Sequence, residues 1–136
     1  MKINRIAHLG LAVSDLEAAM SFFTEGLPLQ VTHTEEYQGM KIAFIPIGDS
    51  SVELLQDVSG ASAIKKFLDK NGEGLHHIAY EVDDINQAIS ELKAKGIRMI
   101  DEKPRHGAHG MSVAFMHPKA THGVLMELCQ PSSDNH

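Results

Sequence analysis

The sequence predicts an α+β fold in which two tandem βαβββ modules form a mixed sheet around a shared cleft. Three observations lead to it. The chain repeats itself at an offset of 69 residues that grows to 74, each copy carries one amphipathic helix after a strand, and each helix is followed by further runs of strand character.

The first strand covers residues 3 to 13, where alternation puts Ala7, Leu9, Leu11 and Val13 on one face and Ile6, His8, Gly10 and Ala12 on the other. A helix over 15 to 25 follows. Ser14 and Glu17 have capping-box spacing, Leu16, Ala19, Met20 and Phe23 recur at i, i+3, i+4 and i+7, and Gly26 ends the run. Strands at 29 to 35, 41 to 47 and 51 to 56 complete the first module, and Ile64, Phe67 and Leu68 mark a short linker helix stopped by Gly72. The second module has a strand at 75 to 82 and a helix at 84 to 95, capped by Asp83 or Asp84, striped by Ile85, Ala88, Ile89 and Leu92, and ended by Gly96. Its remaining strands are expected at 97 to 101, 111 to 116 and 123 to 129.

The repeat is specific at the level of residues. At offset 69, His8 meets His77, Val13 meets Val82, Asp15 meets Asp84 and Ala19 meets Ala88. Ile42, Ala43 and Phe44 meet Val113, Ala114 and Phe115 at 71, and Glu53 meets Glu127 at 74. The second copy therefore holds five extra residues, and Pro104 to Gly110, rich in Gly and His, reads as the loop that contains them. Neither half is large enough to bury both its helix stripe and its sheet face. The expectation is one domain over 1–130, made of repeats at 3–57 and 75–130 joined by the linker helix, with a fraying polar tail at 131–136.

Composition narrows the function. Lys and Arg number 12 against 18 Asp and Glu, so the net charge of −6 speaks against a nucleic-acid groove or a basic membrane surface. No apolar stretch approaches the ~20 residues of a membrane span, no signal-peptide core is present, and the single Cys129 cannot form an internal disulfide. A cytoplasmic protein is expected. Of the nine histidines, only His8 and His77 fall at matching positions of the two copies, as do Glu53 and Glu127. Two imidazoles and two carboxylates on strands make a ligand set for a divalent ion such as Zn, Mn, Fe, Co or Ni, with coordination positions left for substrate. Singly, each would read as a hydrogen-bonded strand histidine or a solvated glutamate; the recurrence of the pair reverses that. His33, His76, His106, His109, His117, His122 and His136 lack partners and read as loop or surface residues, and Cys129 reads as a small apolar side chain.

The run from Gly72 to Ile85, GEGLHHIAYEVDDI, then Asp101-Glu102-Lys103-Pro104, and then Phe115-Met116-His117-Pro118-Lys119 leading to Gly123 and Glu127, closely resemble the vicinal oxygen chelate superfamily, and within it the methylmalonyl-CoA epimerase family. The resemblance extends from Ile6 to Gln130. It implies epimerisation at C2 of methylmalonyl-CoA by proton abstraction through a metal-stabilised enolate. His8, His77, Glu127 and Glu53 would hold one divalent ion per cleft (Co, Mn, Zn or Ni, with Co favoured), and Glu127 and Glu53 would act as base and acid on opposite faces. It also implies a CoA thioester as ligand, for whose phosphates Lys119 and Arg105 are the candidate cations, and a homodimer. Glyoxalase I, a lyase with similar ligands, and the non-catalytic ligand-binding members of the superfamily are the alternatives.

Overall fold

In the computed structural model, which describes residues 1–131, eight strands lie in the order β2-β3-β4-β1-β5-β8-β7-β6 and the fold is α+β with a mixed sheet. The elements are β1 (Ile3–Ala12), α1 (Leu16–Ser21), β2 (His33–Tyr37), β3 (Met40–Ile47), β4 (Ser50–Asp57), α2 (Ala63–Asn71), β5 (Gly74–Val82), α3 (Ile85–Ala94), β6 (Arg105–His106), β7 (Met111–Met116) and β8 (Leu125–Pro131). The chain divides into two compact units, one comprising Met1–Ala7 with His77 onward, the other His8–His76. The two cuts, after Ala7 and after His76, stand at the repeat offset of 69.

Within the His8–His76 unit, β1 pairs parallel with β4, and β4, β3 and β2 form antiparallel hairpins. Gln38 and Gly39 join β2 to β3 with φ of 47° and 79°, the primed turn that suits a two-residue hairpin. Helix α1 packs its stripe on one sheet face, with Val13, Leu16, Ala43, Ile45, Val52 and Leu54 buried there. Its cap is Asp15, whose carboxylate accepts from Ala18 N, rather than the expected Ser14 box. It is also shorter than expected: after Ser21 the chain widens into a π-helical turn over Phe22–Gly26.

The other unit repeats the plan. β5 pairs parallel with β8, β8 with β7 and β7 with β6 antiparallel, and α3 covers a core of Val82, Ile85, Ala88, Ile89, Leu92, Ala114 and Leu128. Asp84, the repeat equivalent of Asp15, caps α3 through Gln87 N. A second repeated device joins each helix to its sheet: Gln56 accepts from Leu16 N at 2.6 Å, and Gln130 accepts from Ile85 N at 2.8 Å. Each amide oxygen satisfies a first-turn N–H that has no partner inside its helix.

Further sequence expectations need correction. The strand placed at 29–35 begins only at His33, and that at 123–129 is shifted to 125–131, so Pro131 closes β8; the rest of the expected tail, 132–136, lies outside the described residues. No strand forms over 97–101, where Met99 makes one isolated bridge to Met116; the edge strand is the two-residue β6, inside the segment read as a loop. Pro104 has no N–H to pair, so the edge ladder starts only after it. Lastly, Ala7 does not join Leu11 and Val13 against α1 but packs with Ala79, Val113 and Cys129, because β1 passes from one unit to the other at this residue.

The loop after β4 is held by Asp57, whose carboxylate accepts from the amides of Ser59, Gly60 and Ser62 and from the hydroxyls of Ser59 and Ser62. These donors, the Ser62 hydroxyl foremost, hold its carboxyl down to about 2 from the ordinary 3.8, and Ser62 in turn caps α2 through Lys65 N. A lowered folded-state pKa means stability present above pH 3.8 and lost as pH falls toward 2. An Asp57→Asn protein is expected to melt at a lower Tm at neutral pH and to lose part of the acid dependence in that window; an unchanged acid limb would contradict the assignment.

Candidate functional site

Each unit contains one buried His–Glu pair, built the same way. In one, His8 on β1 and Glu53 on β4 are 7% and 8% exposed, and His8 Nδ1 lies 2.9 Å from Glu53 Oε2. In the other, His77 on β5 and Glu127 on β8 are 6% and 4% exposed, with His77 Nε2 3.6 Å from Glu127 Oε1. The registers coincide. Glu53 stands opposite Gly10, two residues after His8, and Glu127 stands opposite Ala79, two residues after His77. A small residue at that position leaves room for the imidazole and carboxylate to approach across a parallel pair, where residues i and i+2 share a face.

The hairpins extend each pair with an aromatic ring. Phe44 is opposite Glu53 on β3 and Phe115 is opposite Glu127 on β7; the Phe115 ring meets His77 edge-on with centroids 6.0 Å apart. Burying two carboxylates costs free energy that a cation offsets, and two imidazoles with two carboxylates are the nitrogen and oxygen donors that suit a borderline divalent ion. The residues present therefore fit a divalent metal.

Two side chains outside the candidate set of the sequence, one of them a histidine read as surface, lie on the pair-bearing face of the His8–His76 unit. His33 on β2 is opposite Phe44, its ring 5.2 Å from that phenyl, and its Nε2 is 2.9 Å from Glu35 Oε1. Glu35 is half-buried and, two residues along β2, shares the face of His33, Phe44 and Glu53. Neither has a counterpart at the repeat offset, so the repeat argument could not find them. The Gln38-Gly39 turn could have, since a two-residue hairpin there fixes the register of both.

The remaining candidates divide. Lys119 is exposed on a 3-10 turn at Pro118–Ala120, where its amide donates to His117 Nδ1. Removal from water, then the charges of Arg98 and Lys119, push the His117 pKa down. Arg105 sits on β6 with Nε 3.3 Å from Asp101 Oδ2 and its guanidinium 5.3 Å above the Phe115 ring. His76 turns away from His77 to meet Phe67 of α2 edge-on, and burial lowers its pKa. Cys129 is fully buried among Ala7, Ala79 and Val113, an apolar role.

Residues 7–115 match the model of the Glyoxalase/Bleomycin resistance protein/Dioxygenase superfamily. The chain is 41% identical to the ethylmalonyl-CoA/methylmalonyl-CoA epimerase of Cereibacter sphaeroides, over 94% of this chain and 98% of that protein. It is 42% identical to the human mitochondrial methylmalonyl-CoA epimerase, over 94% and 74% of the two chains. Among solved structures, a variant of Streptomyces coelicolor methylmalonyl-CoA epimerase in complex with 2-nitronate-propionyl-CoA superposes with a TM-score of 0.92, at 37% identity and 97% coverage of both chains.

Proposed function

The chain belongs to the Glyoxalase/Bleomycin resistance protein/Dioxygenase superfamily and, within it, to the methylmalonyl-CoA epimerase family, and from that premise we propose that it interconverts (R)- and (S)-methylmalonyl-CoA by moving the proton at C2. The observation that carries this reading is the duplicated buried His–Glu pair, in one register in both units.

We assign one divalent ion to His8, His77 and Glu127, a group of three buried side chains of ligand type, with Glu53 completing the set beside His8. Co is the choice that the family resemblance favours among Co, Mn, Zn and Ni. When bound, such an ion supplies Lewis-acid stabilisation for the charge that develops on the thioester oxygen as C2 loses its proton.

The protein's own groups move that proton. Glu127 serves one face of C2: its carboxylate takes the proton as the C–H pair delocalises into the thioester, or its acid form returns one. A second carboxylate must serve the opposite face. Glu53 was the sequence candidate, but His8 Nδ1 holds it at 2.9 Å, whereas Glu127 stands 3.6 Å from His77 Nε2. Glu35, half-buried on the Glu53 face and oriented by His33, is the better second base. Lys119, exposed beside His117, is suited to a CoA phosphate. The same reading makes the two repeats one functional domain in a cytoplasmic homodimer; no helix among the described residues is long and apolar enough to cross a membrane.

The test is direct. The metal-loaded protein is expected to racemise stereochemically pure methylmalonyl-CoA at C2; turnover of a glutathione hemithioacetal in its place, or thioester binding without turnover, would overturn the reading.

A further inference from the structure

We infer that Arg105 recognises the free carboxylate of the acyl group and so sets the preference of the site for a malonyl-type thioester over a monoacid one. The inference rests on the epimerase reading above.

Arg105 is fixed from three directions. Its backbone is paired with Val113 in the β6–β7 ladder, Asp101 accepts from its Nε at 3.3 Å, and its guanidinium lies 5.3 Å over the Phe115 ring. Asp101 is itself anchored, since Phe115 N donates to the same oxygen, Oδ2, at 2.9 Å. Gly107, two residues on, holds the strand against β7: a Cβ there would meet Val113 Cγ1 at 2.7 Å. Asp101 takes only the Nε hydrogen. The two terminal nitrogens, which carry the donors suited to a bidentate oxyanion, make no hydrogen bond among the described residues. The side chain is 43% exposed, and its contacts to Asp101 and the Phe115 ring hold the head with its fork open, so part of the rotamer entropy that binding an anion costs is already lost.

Its position selects the anion. Register puts Arg105 with Val113, Phe115, Cys129 and Glu127 on one sheet face, because cross-strand partners and residues two apart along a strand point the same way. The guanidinium lies 5.3 Å over the Phe115 ring, and the same ring meets His77 edge-on with centroids 6.0 Å apart. The cation and the His77–Glu127 pair therefore share one aromatic neighbour on one sheet face, which on the epimerase reading puts Arg105 on the acyl side of the site. The phosphates of CoA lie a whole pantetheine arm from the thioester, so the anion within reach at this spot is the carboxylate on C2. Lys119, on its separate 3-10 turn, remains the candidate for the phosphates.

Malonyl-CoA and acetyl-CoA carry the same phosphates and differ in the carboxylate, so their affinities separate the two sources. Calorimetric titration of the wild-type protein is expected to show tighter binding of malonyl-CoA. Arg105→Met should weaken malonyl-CoA by about 10- to 100-fold, the worth of a charged hydrogen-bonded pair, and leave acetyl-CoA unchanged. Arg105→Lys, which keeps the charge and loses the fork, should fall between the two. An equal loss for both thioesters would assign Arg105 to a phosphate, and no loss for either would remove it from recognition; both results overturn the inference alone. Failure of the wild-type protein to bind either thioester would overturn the epimerase reading, and the inference with it.

Discussion

Chelation of the metal-loaded protein is expected to lower kcat/KM for epimerisation by about 10³-fold or more, and re-addition of Co to restore it. The proton at C2 is acidified only by the thioester and the neighbouring carboxylate, so most of the barrier is the charge that appears on oxygen when it leaves. Lewis-acid stabilisation of that charge is worth several kcal/mol, and each 1.36 kcal/mol is about tenfold in rate. The site offers little to replace it. His8 and His77 are buried beside Glu53 and Glu127, whose negative charge opposes an oxyanion when no cation is bound. His77→Ala should reproduce the loss and resist rescue by added metal, with metal content by elemental analysis falling in parallel. Full activity in a chelated sample shown to be metal-free would sink the assignment of these residues as ligands.

The ligand-type residues were legible in the sequence because duplication makes a pattern visible that single residues do not. A lone strand histidine carries little information, but His8 with His77 and Glu53 with Glu127 recur with the helix stripe and strand alternation around them. The devices that recur with them follow the same rule: Asp15 and Asp84 cap, and Gln56 and Gln130 hold the helix starts. What escaped was unduplicated or lay on an edge. β2 and β6 are short and carry polar or exposed residues on both faces, so alternation gives no signal there. His33, Glu35 and the real setting of Arg105 are all on these two strands. Their place depends on hairpin register, which a tertiary pairing fixes and hydrophobicity does not.

Glu35 on one such edge leads to the last expected result. If Glu35 and Glu127 serve opposite faces of C2, then Glu35→Gln and Glu127→Gln should each slow epimerisation by about 10²- to 10⁴-fold, the usual worth of a general acid or base. Rate alone would not distinguish a lost base from a disturbed site. Exchange in deuterated water does. A protein lacking one base can still remove and return the proton on the remaining face, so each variant should wash deuterium into one epimer at a near-normal rate and leave the other untouched. The two variants should select opposite epimers. Glutamine keeps the shape of the side chain and an oxygen that can still contact a cation, so metal content should survive at Glu127 as well as at Glu35. Glu53→Gln, in contrast, should exchange both epimers, because Glu53 holds His8 and the ligand set and does not touch the reacting proton. Loss of exchange at one epimer in Glu53→Gln, with both retained in Glu35→Gln, would return the second base to Glu53 and leave Glu35 a surface carboxylate paired with His33.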